Sequence, residues 1–86
     1  MDLEKFRKEL DIIDGEIIEL LAKRFRVIDR ISEHKKQMGI PIVQEERMQK
    51  IFKRVEIIAI KHGLDKEFTR SLFEKIINEA IKRERR

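Results

Sequence analysis

From Asp2 to Met38 the chain carries apolar residues at a three-four spacing with no proline to stop them: Leu3, Phe6, Leu10, Ile13, Ile17, Leu20, then Val27 or Ile28, Ile31 and Met38. That period is the signature of one helical face. At about 1.5 Å per residue, such a helix is roughly 55 Å long. Gly15, in its middle, costs about 1 kcal/mol relative to Ala and is the main feature opposing one continuous rod. With 86 residues in all, what remains forms only two shorter helices. These cannot cover a seam of that length, so a second chain is expected to cover the rest.

The other elements follow from sparse punctuation. Gly39-Ile40-Pro41 and His62-Gly63 are the two strong breaks. A second helix is expected from Gln44 or Glu45, with Glu45 and Glu46 at the positive end of its dipole. Met48, Ile51, Phe52, Val55, Ile58 and Ala59 make its apolar face, and Gly63 stops it. Asp65 is the expected N-cap of a third helix. Its stripe is Phe68, Leu72, Phe73, Ile76, Ile77, Ala80 and Ile81. The expectation is one all-α domain over residues 1–86, with three helices per chain, one long and two shorter, in an intertwined helical homodimer.

Composition removes several kinds of chemistry. There is no cysteine, so disulfides and thiolate metal sites are excluded. His34 and His62 are 28 residues apart, without ligand-like spacing, so no metal is expected. No apolar run approaches the roughly 18 residues of a membrane span, and the N-terminus lacks the apolar stretch of a signal peptide. A cytoplasmic protein is expected. Charged residues are 44% of the chain, a dense mixture of the kind found on thermophile surfaces. The net charge of +4 is interleaved with Glu rather than gathered into a stripe, and only Lys82-Arg83-Glu84-Arg85-Arg86 is a basic run. Nucleic-acid binding is therefore not expected.

The informative positions are those where charge interrupts the apolar stripe. Arg24 falls four residues after Leu20, and Lys35 four after Ile31. Eleven residues, three turns, separate them, so they point the same way about 16 Å apart. A buried unpaired cation is costly, so an anion should meet them. Alternatively they snorkel outward or pair with an acidic neighbour. Arg47, in the first turn of the second helix, and Glu84, which continues the third helix's stripe, join the same picture.

With those residues placed, the chain resembles the all-α class of chorismate mutase. The resemblance is carried by Leu3 to Asp14, by Ile18-Glu19-Leu20-Leu21-Ala22-Lys23-Arg24, by Lys35, by Ile40-Pro41-Ile42 to Arg47, and by Leu72 to Ile77. It implies an intertwined homodimer that converts chorismate to prephenate, towards phenylalanine and tyrosine, without a cofactor. By resemblance Arg24 and Arg47 grip the carboxylates of this dicarboxylate, while Lys35 contacts a carboxylate and the ether oxygen. Gln44 contributes through its backbone, and Glu84 donates to the ether oxygen. An ionised carboxylate cannot donate, so Glu84 must be protonated there, a form that desolvation favours and nearby Lys35 opposes. Arg7 matches an arginine that enters from the other subunit. Spacing agrees, because Arg7 lies about 25 Å from Arg24 and 42 Å from Lys35 along one helix.

Three positions depart from the pattern. Met48 stands where mutases commonly carry a Glu that accepts the substrate hydroxyl, Gln44 replaces a common Asp, and Ala80 replaces a Ser. Met48 opens the alternative of an isochorismate-pyruvate lyase on the same fold. A further alternative is a non-catalytic helical dimerisation module, whose seam charges only set register.

Overall fold

The computed structural model describes residues 2–86, and they form three helices: α1 (Leu3–Met38), α2 (Glu45–Lys61) and α3 (Lys66–Glu84). Gly15 does not interrupt α1, which runs unbroken and gives the molecule a longest dimension of 58 Å. Gly39 ends it in the left-handed region at φ 68°, with the Gly39 and Ile40 amides both returning to the Lys35 carbonyl. An L-residue adopts that backbone only with strain, so Gly belongs there. Gln44 caps α2, and Gly63 (φ 74°) follows its end. Asp65 caps α3 as expected, its carboxylate accepting from the Phe68 amide at 2.8 Å.

α3 packs against both other helices, whereas the backbones of α1 and α2 stay apart. The core is small: Ile51, Phe52 and Val55 of α2 meet Ile77 of α3, with Met48, Phe73 and Ile81 half-buried against them. The stripe expected to be buried on α3 is buried only at Ile77 and Ala80, and Phe68 and Leu72 remain exposed. Ile58 of α2 is likewise exposed. Along α1 the contrast is larger. Leu3, Phe6, Leu10, Ile13, Ile17 and Leu20 are each about half exposed or more, and Ser32 is the one buried residue of the helix. Among the described residues of one chain, nothing covers that half of the seam.

The far end of α1 is instead tied to the end of α3. Arg83 forks onto Asp29, with Nη2 and Nε at 2.7 and 3.2 Å from the two carboxylate oxygens, and lies over the Phe25 ring. Ser32 Oγ donates to the Glu84 carbonyl at 3.4 Å. The hydrogen bond from Arg83 holds the Asp29 carboxyl below its ordinary value of 3.8. A depressed carboxylate contributes stability that is present above the ordinary value and lost as pH falls through the folded one. Asp29→Asn should therefore lower the melting temperature at neutral pH, with the difference closing as pH falls from above to below the ordinary carboxylate value. Thermal melts of both proteins across that range measure it.

Candidate active site

α1, α2 and α3 hold a cavity of about 420 Å³ between them, in the space where α1 and α2 stand apart. α1 contributes Arg24 and Lys35, α2 contributes Arg47, Met48 and Arg54 with Gln44 at its cap, and α3 contributes Ala80 and Glu84. Apolar side chains fill the wall between the charges: Val27, Ile28, Ile31, Ile51, Ile77 and Ile81. Seven of the eight residues singled out in the sequence line this one space. Arg7 does not. It lies on the exposed half of α1, 2.7 Å from Glu4.

The three-turn spacing of Arg24 and Lys35 does face both into one space, but their surroundings differ. Lys35 Nζ lies 2.8 Å from Glu84 Oε1 and donates to the Ile42 carbonyl at 2.7 Å. The Gly39 turn carries that carbonyl back over the end of α1, so loop and helix together aim the ammonium group. Glu84 is 5% exposed, and its pairing with Lys35 is a charge contact without aligned hydrogen-bond geometry. Of the possibilities left open for a seam cation, Lys35 thus follows the acidic-neighbour one.

Arg24 does not. It has no carboxylate within ion-pair distance, its Nη1 is buried without a hydrogen-bond partner, and its guanidinium lies 6.0 Å from the centre of the Phe73 ring. Burial lowers its pKa, and the positive charges of Arg47 and Arg54 lower it further. An arginine remains protonated even so. A buried donor without a partner costs about 1–3 kcal/mol. The fold therefore holds a planar, five-donor cation in an unfavourable place, beside two more guanidiniums that also lack an ion pair. An anion with flat, bidentate acceptors relieves all of this, and carboxylates have that geometry.

Arg54 was not legible as part of the site. It lies beside the α2 stripe rather than in it, next to Val55, and reads as an ordinary solvated residue. The signal was its distance from Arg47: seven residues, two turns, which returns it to the same face. Among the described residues no cluster of metal-ligating side chains occurs, and no helix is long and apolar enough to cross a membrane.

Comparison with known proteins adds to this geometry. A family model described as chorismate mutase type II matches residues 6–85. The chain is 32% identical over 81 residues to a 4-amino-4-deoxychorismate mutase of Streptomyces venezuelae, covering 94% of this chain and 79% of that one. It is 32% identical over 84 residues to a chorismate mutase of Methanocaldococcus jannaschii, covering 95% and 85%. A bifunctional chorismate mutase/prephenate dehydratase of Buchnera aphidicola is 34% identical over 76 residues, which are 88% of this chain and 20% of that protein.

Proposed function

The chain belongs to the chorismate mutase type II family, and on that premise we propose that its cavity converts chorismate to prephenate, towards phenylalanine and tyrosine. The observation that carries this reading is the set of guanidiniums without carboxylate partners around one apolar cavity. The reaction breaks an ether C–O bond and forms a C–C bond within one molecule. It needs no nucleophile and no electron acceptor, and the cavity lining offers neither a cysteine nor a Ser-His pair. What it needs is a flexible dianion held in a compact reactive shape, and donors where charge grows on the ether oxygen.

Arg24 and Arg47 grip the carboxylates in this scheme. Lys35, already aimed by the Ile42 carbonyl, reaches a carboxylate and the ether oxygen. Gln44 supports the site through its backbone, while Met48 and Ala80 line it. Glu84 donates to the ether oxygen, which requires its protonated form. Glu84→Gln, whose amide donates whatever the pH, is therefore expected to keep or raise kcat for chorismate, and Glu84→Ala, which donates nothing, to lower it about tenfold or more. A Glu84→Ala protein that turns over at the wild-type rate contradicts that role.

We further propose that the working unit is an intertwined homodimer, each site completed by Arg7 of the second copy. The half-exposed seam of α1 supports it, as does the distance of Arg7 from the cavity in its own chain. The same reading takes residues 1–86 as one catalytic domain acting in the cytoplasm, and the dense surface charge as an adaptation to heat.

Met48 favours a second reading. An apolar thioether cannot accept a strong hydrogen bond from a substrate hydroxyl. A lyase acting on isochorismate, whose hydroxyl sits elsewhere on the ring, has no use for an acceptor there. The test is to mix the purified protein separately with chorismate and with isochorismate. Prephenate from the first supports the mutase, salicylate plus pyruvate from the second the lyase, and activity in neither removes both.

A further inference from the structure

The cavity is more positive than two carboxylates alone require. Arg24, Lys35, Arg47 and Arg54 face it, and the single carboxylate among its lining residues, Glu84, is already 2.8 Å from Lys35. Acidic residues are not scarce, since the chain has 17, yet none lies within ion-pair distance of Arg54. Arg54 stands two turns beyond Arg47 on the same face of α2, with Ile51 between them on the cavity wall. It is close enough to Arg24 for its charge to be felt there. Helix α2 thus presents two cations to the cavity, of which only Arg47 has a role in the mechanism above.

We propose that Arg54 is a specificity-determining residue, which with the other three cations makes the cavity select a dianionic substrate over an analogue that carries an amine. This rests on the chorismate reading. Its physical basis is charge balance. Chorismate brings two negative charges and no positive one. In 4-amino-4-deoxychorismate, an amine that is protonated near neutral pH replaces the hydroxyl. That ammonium needs an acceptor or a nearby negative charge, and the lining offers only Glu84, already engaged. Met48 supplies neither. Each added cation strengthens attraction for the dianion and repels the ammonium, so Arg54 acts in the same direction on both halves of the discrimination. Lying at the α2 side of the cavity and exposed to solvent, it acts through the field on the incoming substrate, and its effect weakens with added salt.

The test compares wild type, Arg54→Gln, Arg54→Lys and Lys53→Gln, with chorismate and 4-amino-4-deoxychorismate as separate substrates, at low and high salt. Lys53→Gln removes the same charge one residue away, outside the cavity lining. Arg54→Gln is expected to raise KM for chorismate about three- to tenfold, with a smaller change in kcat, and to narrow the kcat/KM preference for chorismate about threefold or more. Its KM should also depend less steeply on salt. Arg54→Lys should restore most of the preference, and Lys53→Gln should match wild type. A preference unchanged in Arg54→Gln, or changed equally in Lys53→Gln, overturns the inference while leaving the mutase reading intact. A wild-type protein that rearranges neither substrate overturns the mutase reading, and the inference with it.

Discussion

Arg24→Ala is expected to lower kcat/KM for chorismate by about 10²–10⁴ while leaving the melting temperature unchanged or raising it. The loss follows from removing a bidentate clamp: two charge-assisted hydrogen bonds, each about 1.5–3 kcal/mol. Lysine is a poor replacement, because a point charge cannot reproduce the planar fork. The stability side runs the other way. Arg24 is partly desolvated, carries a buried Nη1 without a partner, and is repelled by Arg47 and Arg54. Removing it relieves those costs at the expense of some packing on Phe73. Activity and stability moving in opposite directions distinguish a substrate clamp from a register-setting charge. Steady-state kinetics and a thermal melt of the same preparation give both. A variant with full activity assigns Arg24 to structure alone.

Placing glutamate at Leu10 and Ile17 together is expected to dissociate the protein and unfold it, with a fall in melting temperature of more than about 15 °C. Both side chains are at least half exposed in a single chain. Were that chain the working unit, each change would fall within about 0.5 kcal/mol, as surface substitutions do. If a second copy covers the seam, each change buries a carboxylate in apolar surroundings, which costs several kcal/mol apiece. A chain whose core is Ile51, Phe52, Val55 and Ile77 with a few half-buried neighbours has little stability to lose. Sedimentation and circular dichroism separate the outcomes: a folded monomer of unchanged stability contradicts the dimer, and an unfolded monomer supports it.

Much of the fold was legible because its determinants are local. The three-four spacing fixed α1, and the Gly39 and Gly63 turns and the Asp65 cap set the ends of the other two helices to within a residue or so. Burial was less legible. Phe68 and Leu72 read as core, yet lie exposed in one chain, because periodicity reports which face is apolar and not what covers it, whereas the exposed first half of the α1 seam follows from a length that two short helices cannot cover. In the site, Arg24 and Lys35 stood out because each breaks an apolar stripe. Their different fates did not, since Lys35 finds Glu84 across a sequence distance of 49 residues while Arg24 finds no carboxylate. Arg54, off the stripe and among other charges, carried no comparable mark.

If two chains share each site, two inactive variants should complement one another when mixed. Arg7→Ala and Arg24→Ala are prepared separately, then unfolded together and refolded, so that chains pair at random. If each site takes Arg7 from one chain and Arg24 from the other, a mixed dimer has one site with both changes and one with neither. Half the dimers are mixed, so the mixture is expected to regain about one quarter of wild-type activity, although neither variant alone has more than a trace. No gain on mixing contradicts the shared site.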